Sequence, residues 1–456
     1  MTCLRMTRIR LLVFVVLFCI QSVAAVSASQ PSAVSTVLLI SVDGLKPEAV
    51  FQAQEHGLNL PNLVRLTGEG TYASGVRGVL PTVTYPSHTT LLTGVSPARH
   101  GISANTTFDP FNKNDKGWYW YAEDIKVPTL WDAAHAAELT TASVYWPVSV
   151  GAHIDYNLPQ IWRTGTADDL KLQRALSTPG LEQELAATAG RYPGGMEETV
   201  DADEIRTRFA VKIIETRHPA FMTVYLTGLD TEQHASGPFS ENSNAVLERL
   251  DALVGQLRAA AEKAAPSRAY VCVVSDHGFA GVQHDVNLYA AFLDAGLFAM
   301  DAAQHIVSWK AMPWPAGGAA AIVLGDPADQ VTAAKVDALL RNWAADPANG
   351  IDRILTREEL HAAGGFPEAA FFVSFKIGYE LGYAFTLPLV SAPTNRGMHG
   401  YLPSNPEMYS SFFLVGPGIA RGKSLGEIDM RQIAPTLADI LQIKLPDAEV
   451  KPLNLH

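Results

Sequence analysis

The sequence predicts an α/β fold: a mostly parallel central sheet between helical layers, carrying an inserted cap subdomain. Three observations predict it. Continuous apolar runs at Thr36 (TVLLISVDG), Ala220 (AFMTVYL) and Ala269 (AYVCVVSDHG) read as strands buried on both faces, as parallel strands are. Segments of helical periodicity separate them, the alternation that builds such a sheet. Each run leads into an aspartate, Asp43, Asp230 or Asp276, and open α/β sheets bind ligands beyond the carboxyl ends of their strands.

The chain begins with Arg5, Arg8 and Arg10, then LLVFVVLFCI, then small residues that offer cleavage after Ala25 or Ala28. Basic, apolar and small-residue regions in that order describe a secretory signal over residues 1–28. The apolar run falls short of the ~20 residues of a membrane span, so export is expected and no stable anchor. Cys19 follows Phe18, without the small residue that precedes a lipidated cysteine. Losing the three arginines takes the formal net charge from −12 to −15, which offers no footprint for duplex nucleic acid or anionic membrane. Cys3 and Cys19 leave with the signal, and Cys272 remains. A lone cysteine excludes an internal disulfide and thiolate metal sites, so any metal falls to His and Asp. One mature cysteine also points to a bacterial periplasm.

Residues 29–456 then read as one catalytic domain. Helical segments are expected over Pro47–His56, Pro61–Gly68, Pro128–Ala137, Asp168–Ala187, Ala202–Arg217, Asn242–Ala264 and Met430–Leu441, with further strands at Thr141–Tyr145 and in SSFFLVG. From Ala302 to Pro388 the texture changes to Gly- and Ala-rich pieces around a helix at Gln330–Ala345, which reads as the cap, residues 302–388. Oligomeric state leaves no mark in the sequence.

The stretch from Pro81 to Asn105 holds the first chemistry. Thr84 precedes Pro86 by two residues, and proline is tolerated in a first helical turn, so Thr84 sits at a helix mouth. Free N–H groups and the positive dipole end favour an anion there. The hydroxyl is then either a helix cap or a nucleophile facing a phosphate. Elsewhere, LTGLDTEQHASGP places Asp230 and His234 one helical turn apart, on the same face. VVSDHGF carries Asp276 and His277 at a strand end, and RGMHGY carries His399 between glycines. A carboxylate, an imidazole and a third ligand make a zinc site with an open position. Singly, each pair also reads as a surface pair, a cap or a core histidine. Two ions ~4 Å apart clamp the attacking and leaving oxygens of a phosphoryl displacement.

These motifs resemble the alkaline phosphatase superfamily, most closely its nucleotide pyrophosphatase/phosphodiesterase branch, from Val37 to His399 and in the family's order. The resemblance implies two zinc ions, other divalent metals serving as substitutes. Asp230, His234 and His399 are then ligands of one, and Asp43, Thr84, Asp276 and His277 gather around the other. It also implies Thr84 in PTVTYPSH as the nucleophile, and Asn105 in HGISAN as donor to a non-bridging phosphate oxygen. Tyr85, Ser87 and Leu229 depart from the branch's usual Phe, Asn and Pro; none is a ligand, so they bear on substrate preference.

The segment Ala142–Val148 lacks the Lys and Arg of the superfamily's threonine-using monoesterases. A less charged, aromatic pocket suits a small-molecule diester, a nucleotide among the candidates. Tyr145 and Trp146 are the expected substrate-stacking rings, with the Trp118–Tyr121 group as further candidates or core aromatics. Rival readings are a phosphonoacetate-hydrolase-like C–P hydrolase, a phosphomonoesterase, and an exported metal-binding protein without turnover.

Overall fold

The computed structural model describes residues 35–114 and 117–455, so the expected signal segment lies outside the described residues. The central sheet is built on β1 (Thr36–Val42), β2 (Thr141–Val144), β3 (Phe221–Leu226), β4 (Ala269–Val274) and β5 (Phe412–Val415). Its order is Lys423–Ser424, Thr71–Tyr72, β5, β4, β1, β3, β2, Tyr156–Leu158. From β4 to Tyr156–Leu158 all neighbours run parallel. The strand expected in SSFFLVG forms as β5, but it joins β4 antiparallel. In register, Ile40 of β1 lies between Val224 and Val273. The apolar runs are continuous because both faces of these strands are covered.

One helical layer holds α1 (Thr84–Thr93), Leu130–Ala136 and Ile433–Leu441, and the last packs on β1. The other holds Pro61–Glu69, α2 (Val200–Arg217), the short α3 (Gly228–Ser236) and α4 (Glu241–Ala264), with α4 against β1 and β4. Side-chain oxygens start several of these helices. Thr129 and Asp132 form a reciprocal capping box that moves the helix expected from Pro128 to Leu130. The expected helix Asp168–Ala187 is two helices, Asp168–Leu176 and Leu181–Ala189. Ser177 turns extended, Pro179 follows, and Gly180 is left-handed at φ +79°, so the periodicity runs through a break.

A second core is organised on an antiparallel sheet, Ala311–Pro315, Ala319–Leu324, Ala369–Phe375 and Ile351–Thr356 in spatial order. Helix Gln330–Ala344 packs against Ile351–Thr356. This core draws on residues from Ala280 to Met408, so it takes in chain on both sides of residues 302–388. Strand Ala280–Val286 pairs in parallel with Gly378–Leu381 and antiparallel with Gly397–Met398. That pairing brings the segment carrying His399 back towards the carboxyl ends of the central strands.

Candidate active site

Five pieces of chain meet at the carboxyl edge of the central sheet: the ends of β1 and β4, the mouth of α1, helix α3 and the segment carrying His399. β1 ends at Val42 and delivers Asp43, 2% exposed. Gly44 follows with φ +67°, and a Cβ there would lie 2.8 Å from Gln233 Nε2 and 3.0 Å from the Phe279 ring. Left-handed backbone in so tight a space calls for glycine. Asp276, two residues past β4, is fully buried, and its Oδ1 accepts from Gly44 N at 3.2 Å. Tyr225, on the neighbouring β3, donates its hydroxyl to Asp43 Oδ2.

Helix α1 begins at Thr84, with Val83 as an N-cap residue that makes no side-chain cap. The cap function expected as one reading of Thr84 is therefore unused. Its hydroxyl instead faces His277 Nε2 at 3.4 Å. The helix-mouth amide of Tyr85 donates to Asn105 Oδ1 at 2.9 Å, which turns the Asn105 amide group towards the same mouth. Asp230 lies in the first turn of α3 and His234 one turn later, with Nε2 3.5 Å from Asp230 Oδ1. His399 Nε2 is 3.7 Å from the same oxygen. The rings of His277 and His399 stack with centroids 3.6 Å apart.

The three imidazoles share one orientation. His234 Nδ1 donates to Gly397 O (2.9 Å), His399 Nδ1 to Thr82 O (3.1 Å) and His277 Nδ1 to Gly278 O (3.1 Å). A proton held on Nδ1 by a backbone carbonyl leaves the Nε2 lone pair pointing inward, as in metal-ligating histidines. Facing those lone pairs are Asp43 Oδ1, Asp230 Oδ1 and Asp276 Oδ2, all buried and without a hydrogen-bond partner. His277 Nε2 lies 3.3 Å from the first and 3.1 Å from the last. Two groups have ligand atoms mutually within 4.8 Å: Asp43, Asp276 and His277, and Asp230, His277 and His399. His277 thus stands between the two, and His234 joins through Asp230.

Lone pairs opposed to carboxylate oxygens in a buried space call for cations or protons between them. The acids show it: burial, then mutual repulsion, holds Asp43, Asp230 and Asp276 well above the ordinary carboxylate range. Burial, then the neighbouring His234, lowers His399 to about 3, and burial lowers His277 and His234 as well. Neutral imidazoles beside carboxylates are a mixed nitrogen and oxygen donor set that fits a borderline divalent ion such as zinc.

The expectation for Tyr145 and Trp146 is corrected. Both rings are fully buried. Tyr145 lies under the Arg206 guanidinium, 3.4 Å from the ring centroid, and donates to Gly195 O. Trp146 makes T-shaped contacts with His88 and Trp131. A residue just past a parallel strand end is as well placed to fill the layer beneath a site as to line it, and here the inward alternative won. Of the Trp118–Tyr121 group, Trp120 is buried, Trp118 and Tyr119 are partly covered and Tyr121 is exposed. One cavity, of about 360 Å³, starts at Thr106, next to Asn105 in sequence, and is bordered by Phe108, Tyr289, Trp314 and Tyr383.

Two supporting residues escaped the sequence reading. Tyr225 shows only as the penultimate residue of an apolar run. His88 donates from Nδ1 to Thr84 O at 2.8 Å, and its Nε2 accepts from Ser41 Oγ at 2.9 Å, tying α1 to β1. Its spacing of four from Thr84 was the available signal, since that is one helical turn.

The geometry is that of a candidate metal site gathered beside a helix mouth. The chain belongs to the type I phosphodiesterase/nucleotide pyrophosphatase family, whose model matches residues 37–402. Ectonucleotide pyrophosphatase/phosphodiesterase family member 1 of Mus musculus is 28% identical over 250 residues, which cover 53% of this chain and 24% of that protein. Human bis(5'-adenosyl)-triphosphatase ENPP4 is 24% identical over 268 residues, 57% of this chain and 51% of that protein. The match thus spans about a quarter to a half of these relatives' lengths. Among solved structures, an inactive form of murine ectonucleotide pyrophosphatase/phosphodiesterase 5 in complex with AMP superposes with a TM-score of 0.64. It is 18% identical and covers 90% of this chain and 96% of that one, which establishes the shared fold.

The Gly44 geometry makes a direct prediction. Gly44→Ala must strain φ and displace Gln233 and Phe279, and is expected to cost roughly 1–3 kcal/mol. Urea unfolding of the variant beside the parent checks it.

Proposed function

We propose that this protein is an exported, two-zinc phosphodiesterase of the nucleotide pyrophosphatase kind, working through a phosphothreonine on Thr84. The observation that carries the reading is the set of three buried, partnerless carboxylate oxygens opposed to three inward imidazole lone pairs. Asp230, His234 and His399 would hold one ion, and Asp43, Asp276, His277 and Thr84 the other. Zinc in these positions supplies positive charge that favours ionisation of the Thr84 hydroxyl and offsets charge on the leaving oxygen.

The chain's own residues do the rest. Thr84 Oγ gives up its proton to solvent and attacks phosphorus in line, forming the Thr84 O–P bond as the leaving oxygen departs with its electron pair. Water then attacks the phosphothreonine and restores the hydroxyl. Asn105 spends Oδ1 on the Tyr85 amide. Its Nδ2 hydrogens are thereby free to donate to a non-bridging oxygen, beside the uncapped mouth of α1. The relatives' names, a pyrophosphatase/phosphodiesterase and a bis(5'-adenosyl)-triphosphatase, support a nucleotide diester or anhydride as substrate. Export rests on the pattern in residues 1–28, and a bacterial periplasm is the compartment proposed. No described helix is long and apolar enough to cross a membrane.

Purified protein is expected to carry about two zinc equivalents and to prefer bis-p-nitrophenyl phosphate over p-nitrophenyl phosphate; a monoester preference would overturn the diesterase reading. Thr84→Ala should lose diesterase turnover by roughly a thousandfold or more. Asn105→Asp keeps the acceptor for the Tyr85 amide but not the donor, so kcat should fall about 10²–10³-fold with the melting temperature little changed.

Zinc binding should also be linked to pH with a defined sign. The raised carboxylates hold protons in the metal-free protein above their ordinary range, whereas the lowered histidines are already neutral. Zinc must displace the carboxyl protons, so affinity rises with pH and binding releases protons. Calorimetry in two buffers of different ionisation enthalpy measures that release.

A further inference from the structure

We propose that Asp203, backed by Arg206, is a positioning residue that keeps Asp230 turned into the metal site by occupying the amide Asp230 would otherwise cap. The proposal rests on the two-zinc reading above. Helix α3 starts without a cap of its own, since the side chain of Thr227 caps nothing. Asp230 is the third residue of that helix. An acid at this position folds back onto the N-H of the N-cap residue in a capping box. Thr129 with Asp132, and Thr356 with Glu359, do this elsewhere in the molecule.

At α3 that donor is taken. Asp203 Oδ2, reaching across from the first turns of α2, accepts from Thr227 N at 2.9 Å and from Gly228 N at 2.7 Å. Asp230 Oδ1 stays without a hydrogen-bond partner, near His234 Nε2 and His399 Nε2. The competing carboxylate is firmly held. Arg206 Nη1 donates to Asp203 Oδ1 at 3.0 Å and to Thr227 Oγ1 at 3.2 Å, and Nη2 donates to Glu197 O at 2.7 Å. Both side chains of the pair are fully buried. Gly228 permits the approach: a Cβ there would lie 2.6 Å from Val200 N and 3.1 Å from Asp203 Oδ2. A charge pair with no access to water thus does for α3 what its own third residue would do, and releases that residue for another role.

Two variants test this by zinc titration and metal analysis, with circular dichroism melts to establish folding. Asp203→Asn removes the charge that outcompetes Asp230. The double variant Asp203→Leu/Arg206→Met removes both charges at similar volume, which buried ion pairs tolerate when replaced together. Each folded variant is expected to keep one zinc at parental affinity and to bind the other about 10–100-fold more weakly. Two zinc ions at parental affinity in either folded variant would overturn the proposal. So would equal weakening of both ions, or failure of both variants to fold, since the contact would then serve the fold alone. A parent protein that binds no pair of zinc ions would instead defeat the two-zinc reading.

Discussion

Three carboxylates, Asp43 and Asp276 buried and Asp230 partly so, lie side by side at the edge of the central sheet, facing imidazole lone pairs, and this unbalanced negative charge is what the surrounding structure must accommodate. Desolvation raises all three acids, and each raises its neighbours further. Removing such groups from water costs several kcal/mol per ion unless compensating charge or hydrogen bonds are supplied. Hydrogen bonds meet part of the demand, through the Tyr225 hydroxyl on Asp43 and the Gly44 amide on Asp276. The oxygens left over are the ones aimed at the histidines, and divalent cations are the natural complement.

Holding that arrangement falls to segments that are distant in sequence. The backbone carbonyls of Thr82, Gly278 and Gly397 fix the three rings. The segment before His399 is pinned in turn by buried acids. Asp285 accepts from Thr394 N and Oγ1, and Glu380 accepts from Asn395 N and Nδ2. Arg396 N then donates to His234 O, joining this segment directly to α3. The second core therefore does more than lie beside the site, because its strands Ala280–Val286 and Gly378–Leu381 supply the acids that hold the segment carrying His399.

Thr84 shows how the local and the global combine. A proline two residues on suits a first helical turn, and Thr89 and Thr93 satisfy their hydroxyls on carbonyls one turn back. Thr84 does not cap that helix because it is already the first helical residue, and Ser87 N, three residues on, donates to Val83 O at 3.2 Å. With that amide partnered, the threonine hydroxyl is left beside His277.

By itself the sequence determined the strands, since a run apolar on both faces has few other uses, and it placed Asp43 and Asp276 at their ends. It also determined the Asp230–His234 face, because one helical turn is a local distance. Only the tertiary structure decided which polar groups meet across the fold: Tyr225 on Asp43, Asp203 on the amides of α3, His277 between two groups of acids. It also decided that Tyr145 and Trp146 face inward, and that the second core reaches beyond residues 302–388. The reason is physical. Periodicity encodes which face of an element is buried, whereas partners across the fold are chosen by packing and charge, which no short stretch of chain contains.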